Sequence, residues 1–390
     1  MSFIIRGLVA AAALTMAVNG ASAQDKVRIG LIYTLTGPAA VLGQQSKNGF
    51  ELAMKELGGK MGGKEVQLFI ADDGLKPATA IEKVRELIDR DHVDFVVGPI
   101  FSNVLQAIHK PVMDAGKILI STNAGASSYA GSACNPNFFV TSYQNDQIFE
   151  TLGKVATDRK YKRVFAMVPN YQAGKDALAG FKRTYKGQIV EEALVPLKSL
   201  DFQANLSKLS SLHPDALFTF MPGGLGISLI KQFNQAGLKG KVPILSAFTA
   251  DEATLPALGA AADGIYGALT WAPDTNNPQN KKFVADYEAA YHAIPASYAM
   301  QAYDAAKLID SAVRAVKGNL SNEKAVSAAL RKADFHSVRG AFKFNVNGYP
   351  IQDFYLTKVA KRPDGKYQTS IAEKVLANNA DAYAKNCKLK

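Results

Sequence analysis

The sequence predicts an α/β protein made of two successive half-chains, each a parallel β-sheet covered on both faces by helices. Three observations carry this. Short apolar runs alternate with helical patterns along most of the 390 residues. The alternation starts afresh at Arg163, and no run of Gly, Ser or Pro separates the two series. Strands spaced by helices of this length cannot pair as hairpins, so they lie parallel, with the helices packed on the sheet faces.

The first strand is Lys26-Val27-Arg28-Ile29-Gly30-Leu31-Ile32, ended by the turn Thr34-Leu35-Thr36-Gly37-Pro38. A helix follows in which Phe50, Leu52, Ala53, Met54 and Leu57 supply the apolar positions. Val66-Gln67-Leu68-Phe69-Ile70-Ala71-Asp72-Asp73 is the next strand, and residues 78–90 the next helix. The run Asp94-Phe95-Val96-Val97 then stops abruptly at Gly98-Pro99. Ser102 stands where a helix N-cap is wanted, and Val104, Leu105, Ile108 and Val112 continue at helical spacing. Lys117-Ile118-Leu119-Ile120-Ser121 completes the series. Two parallel strands joined by one helix place their carboxyl ends side by side. That edge gathers the Ser102 hydroxyl, the free N–H groups of a helix start and the slim loop over residues 122–125. Such a place suits a small anion, above all a carboxylate.

The second series runs through Arg163-Val164-Phe165-Ala166-Met167-Val168-Pro169, Gly187-Gln188-Ile189-Val190, Ala216-Leu217-Phe218-Thr219-Phe220 and Val242-Pro243-Ile244-Leu245-Ser246. Helices are expected over residues 174–185, 202–212 and 225–236. From residue 280 the pattern turns helical, over 283–291, 299–316 and 322–332. Residues 341–344 and 354–359 read as β-ribbon strands around Asn347-Gly348-Tyr349-Pro350. With no linker between the halves, they are expected to be joined by several short crossings, near residues 139–143, 269–273 and 350–354.

Arg6 precedes an apolar run over residues 8–18, and Ala21-Ser22-Ala23 is a small-x-small cleavage site. This is the pattern of a secretory signal peptide over residues 1–23, which implies a soluble, exported chain. No later segment approaches the ~18 uninterrupted apolar residues of a membrane span. The net charge is +11, but the basic residues are scattered, with Lys154, Arg159, Lys160, Lys162 and Arg163 the densest group. No aromatic-basic motif accompanies them, so nucleic acid is not an expected partner. Cys134 and Cys387 are the two cysteines. An even pair in an oxidising compartment reads as one disulfide, with two buried thiols as the alternative.

Catalytic patterns are missing. His92, His109, His213, His292 and His336 are isolated, and there is no H-E-x-x-H pairing, G-x-S-x-G elbow or Walker loop. No metal, cofactor or enzymatic activity is expected. Gly223-Gly224-Leu225-Gly226 reads as a glycine turn at a strand–helix junction, and Asp72-Asp73 as a turn cap.

Read in order, Ile29-Gly30-Leu31 with Leu35-Thr36-Gly37-Pro38, Asp72-Asp73, Val97-Gly98-Pro99-Ile100-Phe101-Ser102, Leu119-Ile120-Ser121, Tyr171-Gln172-Ala173-Gly174-Lys175-Asp176 and Gln301-Ala302-Tyr303-Asp304-Ala305 form a recognisable succession. The chain resembles the periplasmic binding proteins that feed ABC transporters, in the leucine/isoleucine/valine-binding branch. The resemblance implies a type I periplasmic binding protein: two Rossmann-like lobes joined by three hinge crossings. Its N-terminal lobe would comprise residues 24–142 and 272–350, and its C-terminal lobe residues 143–271 and 351–390. A ligand would sit between the lobes of a monomer in the periplasm, and hinge closure would present it to a membrane permease.

Carried over residue by residue, the resemblance places the ligand carboxylate on Ser102, at the end of the Ile100-Phe101 turn, with help from Asn123, Ala124 and Gly125. The family's ammonium partner is a Glu of the second lobe, and by spacing that position is Phe248. Asp251 and Glu252 lie a turn further on and would have to reach back. An unpaired ammonium in a closed cleft costs on the order of several kcal/mol, so an α-amino acid fits poorly. The family's first-loop aromatic falls on Leu42, and the second Tyr of its Tyr-x-Tyr-Gly loop falls on Ala173, with Tyr171 nearby. Phe101, Tyr143, Phe220, Phe248 and Trp271 are the expected walls. The expected ligand is an apolar or aromatic carboxylate, benzoate-like or phenylpropenoate-like, as in an aromatic-acid-binding branch. The rivals are a branched-chain amino acid, an amide or urea met by Gln144 and Asn145, and a ligand-sensing subunit of a membrane receptor.

Overall fold

A computed structural model describes residues 26–389, and the signal peptide expected over residues 1–23 lies outside them. The first half of the chain supplies β1 (Lys26–Tyr33), α1 (Ala40–Glu56), β2 (Lys60–Met61), β3 (Lys64–Asp72), α2 (Pro77–Arg85), β4 (Phe95–Val97), α3 (Ser102–Asp114), β5 (Ile118–Ser121) and β6 (Phe138–Val140). Next come α4 (Asn145–Asp158), β7 (Arg163–Pro169), α5 (Gln172–Thr184), β8 (Gln188–Val195), α6 (Gln203–Leu212), β9 (Ala216–Thr219), α7 (Gly224–Gln235), β10 (Ile244–Ser246), α8 (Leu255–Leu258) and β11 (Tyr266–Leu269). The chain ends with α9 (Pro278–Tyr291), α10 (Ser297–Ala315), α11 (Glu323–Lys332), β12 (Lys343–Phe344), β13 (Pro350–Lys361) and β14 (Tyr367–Asn379).

These strands form two sheets, confirming the α/β class and the doubled parallel architecture. The first has the order β2-β3-β1-β4-β5-β6 and is parallel apart from its β2 edge. The second runs β8-β7-β9-β10-β11 in parallel, then adds β13 and β14 antiparallel. Buried parallel strands read as continuous apolar runs because both faces are covered, and β4 and β5 are buried at every position. After β11 the chain returns to the first lobe. Tyr287 of α9 donates to Gln45 of α1 at 2.8 Å, and Asp310 of α10 accepts from the Gly62 amide at 2.8 Å.

Local chemistry sets the helix starts. Gln144 and Gln147 form a capping box on α4, the Asn277 side chain accepts from the Asn280 amide ahead of α9, and Asn322 does the same for α11. Gln144 is therefore spent on Asp146, accepting from its amide and donating to its carboxylate. At α3 the structure differs from expectation. The N-cap is Phe101, in extended conformation, and Ser102 is the first helical residue, which frees its hydroxyl from capping. The turn before it needs glycine, because Gly98 has φ +119° and a Cβ there would overlap the Ile32 carbonyl.

Other departures have physical causes. Helix α4, absent from the expected helices, buries Asn145, Asp146, Gln147 and Glu150 beside the apolar stripe of Ile148, Phe149, Leu152, Val155 and Ala156. Strands β6 and β11 are three and four residues long; β6 overlaps the stretch read as the first crossing, and β11 ends at Leu269, where the second was read to begin. The ribbon at the C-terminus is longer than expected because β14 is polar and half-exposed. Cys134 and Cys387 are joined in a disulfide. Asp72 and Asp73 cap the turn after β3, accepting from the Leu35 and Leu75 amides at 2.8 and 2.7 Å.

In the first sheet β1 lies between β3 and β4, and in the second β7 lies between β8 and β9. Each is a point where the strand order reverses, and crevices outside the carboxyl ends of strands at such points receive ligands.

Candidate functional site

Helix α1 and the loops following β4, β5, β6, β7, β9 and β10 converge on one cavity between the lobes. It is lined by Leu42, Ile100, Phe101, Ser102, Asn123, Ala124, Tyr143, Asn145, Phe149, Tyr171, Ala173, Phe220, Pro222, Phe248 and Tyr298, around about 360 Å³ of empty space. The lobes touch around it. The Gly224 amide donates to the Pro38 carbonyl at 3.1 Å, and Gln106 donates to Gln172 at 3.2 Å.

The wall on the first-lobe side is polar and held in place. The Asn123 side chain donates to the Ile100 carbonyl at 2.8 Å and accepts from the Tyr143 hydroxyl at 3.2 Å. Ser142 donates to the Asn123 carbonyl at 2.9 Å. The Ser102 hydroxyl accepts from Asn145 Nδ2 at 3.1 Å. As the first residue of α3, Ser102 also brings N–H groups without intrahelical partners and the positive end of the helix dipole.

Around these polar groups the lining is a cage of rings drawn from both halves of the chain. Phe248 stacks on Tyr143 with centroids 5.4 Å apart and planes 18° from parallel, meets Phe220 edge-on at 6.1 Å and lies 5.9 Å from Tyr298. Tyr171 is 6.2 Å from Phe220 and 6.1 Å from Phe101. Phe248 adopts φ +57°, a left-handed conformation rare for a side chain this bulky. Among the described residues no lysine, arginine, aspartate or glutamate lines the cavity. Burial drives the Tyr143, Tyr171 and Tyr298 hydroxyls above the ordinary phenol range, with the Asp251 charge adding to it at Tyr143 and Tyr298. They are neutral hydrogen-bond groups.

Of the site residues expected from sequence, Leu42, Ile100, Phe101, Ser102, Asn123, Ala124, Tyr143, Tyr171, Ala173, Phe220 and Phe248 line this cavity. Gly125 stands behind it. Its amide donates to Asn145 Oδ1 at 3.0 Å, and a Cβ would overlap the Tyr143 carbonyl. Trp271 is a correction. It is fully buried against Phe283, its indole N–H donating to Asn280 at 2.7 Å, and it belongs to the core beneath the second crossing. Asp251 and Glu252 do not reach back. Glu252 Oε1 accepts from the Thr369 amide and hydroxyl at 2.7 and 2.6 Å, and Asp251 accepts from the Ala253 amide at 3.1 Å. Sequence reasoning missed Phe149, Pro222 and Tyr298, and named Asn145 only for an amide ligand. Pro222 lies in the loop between β9 and α7, directly before the Gly223-Gly224 turn, a signal that could have placed it.

The model of the periplasmic binding protein family matches residues 26–366. The chain belongs to the periplasmic binding protein family. Members of this class are solute receptors, and the two lobes with a lined cavity between them fit that architecture. Among curated periplasmic binding proteins, a Leu/Ile/Val-binding protein homologue from Brucella melitensis is 30% identical over 374 residues, covering 92% of this chain and 94% of its own. Among solved structures, an ABC-transporter solute-binding protein from R. palustris in complex with benzoate is 32% identical with a TM-score of 0.89, covering 93% of this chain and 100% of that one. A second R. palustris solute-binding protein, in complex with 4-hydroxybenzoate, is 29% identical with a TM-score of 0.85, covering 91% and 98%. Among the described residues of this periplasmic binding protein, no helix is long and apolar enough to cross a membrane.

Proposed function

We propose that this chain is the exported receptor of an ABC importer and binds a small aromatic carboxylate, of the benzoate and hydroxybenzoate kind, in the interlobe cavity. The observation that carries the reading is Phe248. A ring stacked on Tyr143 stands where the amino-acid binders of this family place an acid, so the cavity offers an apolar clamp and no partner for an ammonium. Ser102 and the start of α3 are assigned the carboxylate. The hydroxyls of Tyr171 and Tyr298 donate to no protein acceptor among the described residues and are assigned the ring's polar substituent. Solved relatives with benzoate and 4-hydroxybenzoate bound support the same class. The branched-chain amino acid reading is weaker, because Glu252 is engaged by Thr369 and Asp251 does not line the cavity.

In this reading the lobes, residues 24–142 with 272–350 and 143–271 with 351–390, close on the ligand, and a monomer with residues 1–23 removed delivers it in the periplasm to a membrane permease. Titration calorimetry tests the ligand class. Benzoate or 4-hydroxybenzoate should bind tightly, leucine should give no heat, and Ser102→Ala should weaken benzoate at least ~10-fold, the size of a lost charged hydrogen bond. Tight leucine binding without aromatic-acid heat would overturn the reading.

A further inference from the structure

Asp176 does not line the cavity, yet it is joined to Ser102 through one side chain. It sits in the second turn of α5, 3% exposed. Its Oδ2 accepts from Asn145 Nδ2 at 2.8 Å and from the Ser127 amide at 3.1 Å, and its Oδ1 accepts from the Ser127 hydroxyl and Gln172, both at 2.7 Å. Ser127 belongs to the first lobe and Asp176 to the second, so this carboxylate forms its full set of bonds only when the lobes meet.

Asn145 is held from both ends. Its Oδ1 accepts from the Gly125 amide at 3.0 Å, and its Nδ2 is shared between Ser102 Oγ at 3.1 Å and Asp176 Oδ2 at 2.8 Å. Turning the amide over would set Nδ2 against the Gly125 N–H and Oδ1 against a carboxylate, donor to donor and acceptor to acceptor. With Nδ2 pointing at it, the Ser102 oxygen is an acceptor for the protein. Its own O–H donates to no protein atom among the described residues, which leaves that proton for the cavity. A carboxylate can take it. An ammonium or the N–H side of an amide cannot.

We infer that Asp176 is a positioning and specificity-determining residue: by fixing Asn145 it makes Ser102 a donor, and so favours an anionic acceptor ligand over its isosteric amide, whose neutral carbonyl takes the same proton more weakly, when the lobes close. The inference rests on the aromatic-carboxylate reading for its choice of ligand. The environment of Asp176 is consistent with an acceptor whose ionised form is under load. Burial and the charge of Asp146 push its carboxyl up, Ser127 and Asn145 hold it down, and the hydroxyls of Tyr171 and Tyr349 feel its charge. Among the described residues no lysine or arginine forms an ion pair with it.

The test is calorimetry at pH 7 with benzoate and benzamide on the wild type and Asp176→Asn. The variant should lose at least ~10-fold in benzoate affinity and less in benzamide affinity, because a charged acceptor depends more on the Ser102 proton than a neutral carbonyl does, so that the benzoate-to-benzamide ratio falls. Equal weakening of both ligands, with the ratio unchanged, marks a merely structural role and overturns the inference while the ligand class stands. If Asp176→Asn fails to fold, judged by its unfolding curve without ligand, Asn145→Asp serves: it presents acceptors to Ser102 and must also lower the ratio. A wild type that binds no aromatic acid overturns the ligand class alone. The variants are then read with leucine against leucinamide, and an unchanged ratio there overturns the relay.

Discussion

Phe248 lies parallel to Tyr143 at a centroid distance of 5.4 Å, and it does so from a backbone with φ +57°. The ring contact and the unusual conformation oppose each other energetically. A non-glycine residue in this region costs on the order of 1 kcal/mol or more, which persists where surrounding packing over-determines it.

Two substitutions separate those terms. Phe248→Ala removes the rings' contacts and keeps the left-handed backbone, whereas Phe248→Gly removes both. Urea unfolding without ligand should find the glycine variant more stable than the alanine variant by about 1 kcal/mol. Both should lose benzoate affinity by ~10-fold or more. A glycine variant less stable than alanine would mean the conformation carries no cost.

Asp251 supplies a pH dependence with a definite sign. Burial pushes its carboxyl up to about 6 from an ordinary value of 3.8, and its Oδ2 has no partner. Between those two values the folded protein keeps a proton that the unfolded chain has released. Stability from this group is therefore full below about pH 4 and is lost as pH rises through 6. Asp251→Asn has no proton to lose. Relative to wild type it should gain on the order of 2 kcal/mol between pH 4 and pH 8, and taking the difference cancels the constant cost of the new amide. Parallel pH profiles for the two proteins would count against the assignment.

Arg339 and Asp304 form a buried pair, Nε to Oδ2 at 3.2 Å, and Arg339 also donates to the Ser142 carbonyl at 3.2 Å and to Gln352 at 2.9 Å. One guanidinium thus joins α10 to the first and third crossings. Arg339→Met should cost about 3–5 kcal/mol in urea unfolding, because Asp304 is left charged and buried. Arg339→Met with Asp304→Leu should recover most of that. A double variant as unstable as the single would show that the crossings, not the stranded charge, set the cost.

The sequence was legible where function is written into a local turn. Gly98 to Ser102 announces a strand end and a helix start, and that is where the polar wall stands. It was less legible where the cavity is assembled from afar. Tyr298 arrives on α10 after the chain has left and re-entered the first lobe, and Phe149 belongs to the apolar stripe of α4, whose helical spacing is the same whether a ring on it faces the core or a cavity. Trp271 shows the converse. A large ring beside a crossing has the same composition whether it faces the cleft or the core, and Asn280, its hydrogen-bond partner, is nine residues on with no pattern to announce it.

The Cys134–Cys387 bond links a loop of the first sheet to the segment after β14, across a sequence separation of 253 residues. It lies beside the third crossing, where Asn347 donates both to the Ala130 carbonyl and to Asp381, at 2.7 and 3.0 Å. The two lobes are thus tethered covalently on the side where the chain already passes between them. A covalent link at that margin restrains translation and twist more than it restrains a swing about it, like a book with a stitched spine. A ligand entering such a cleft has mainly one angle to settle, so little of its binding free energy is spent on finding the register between the lobes.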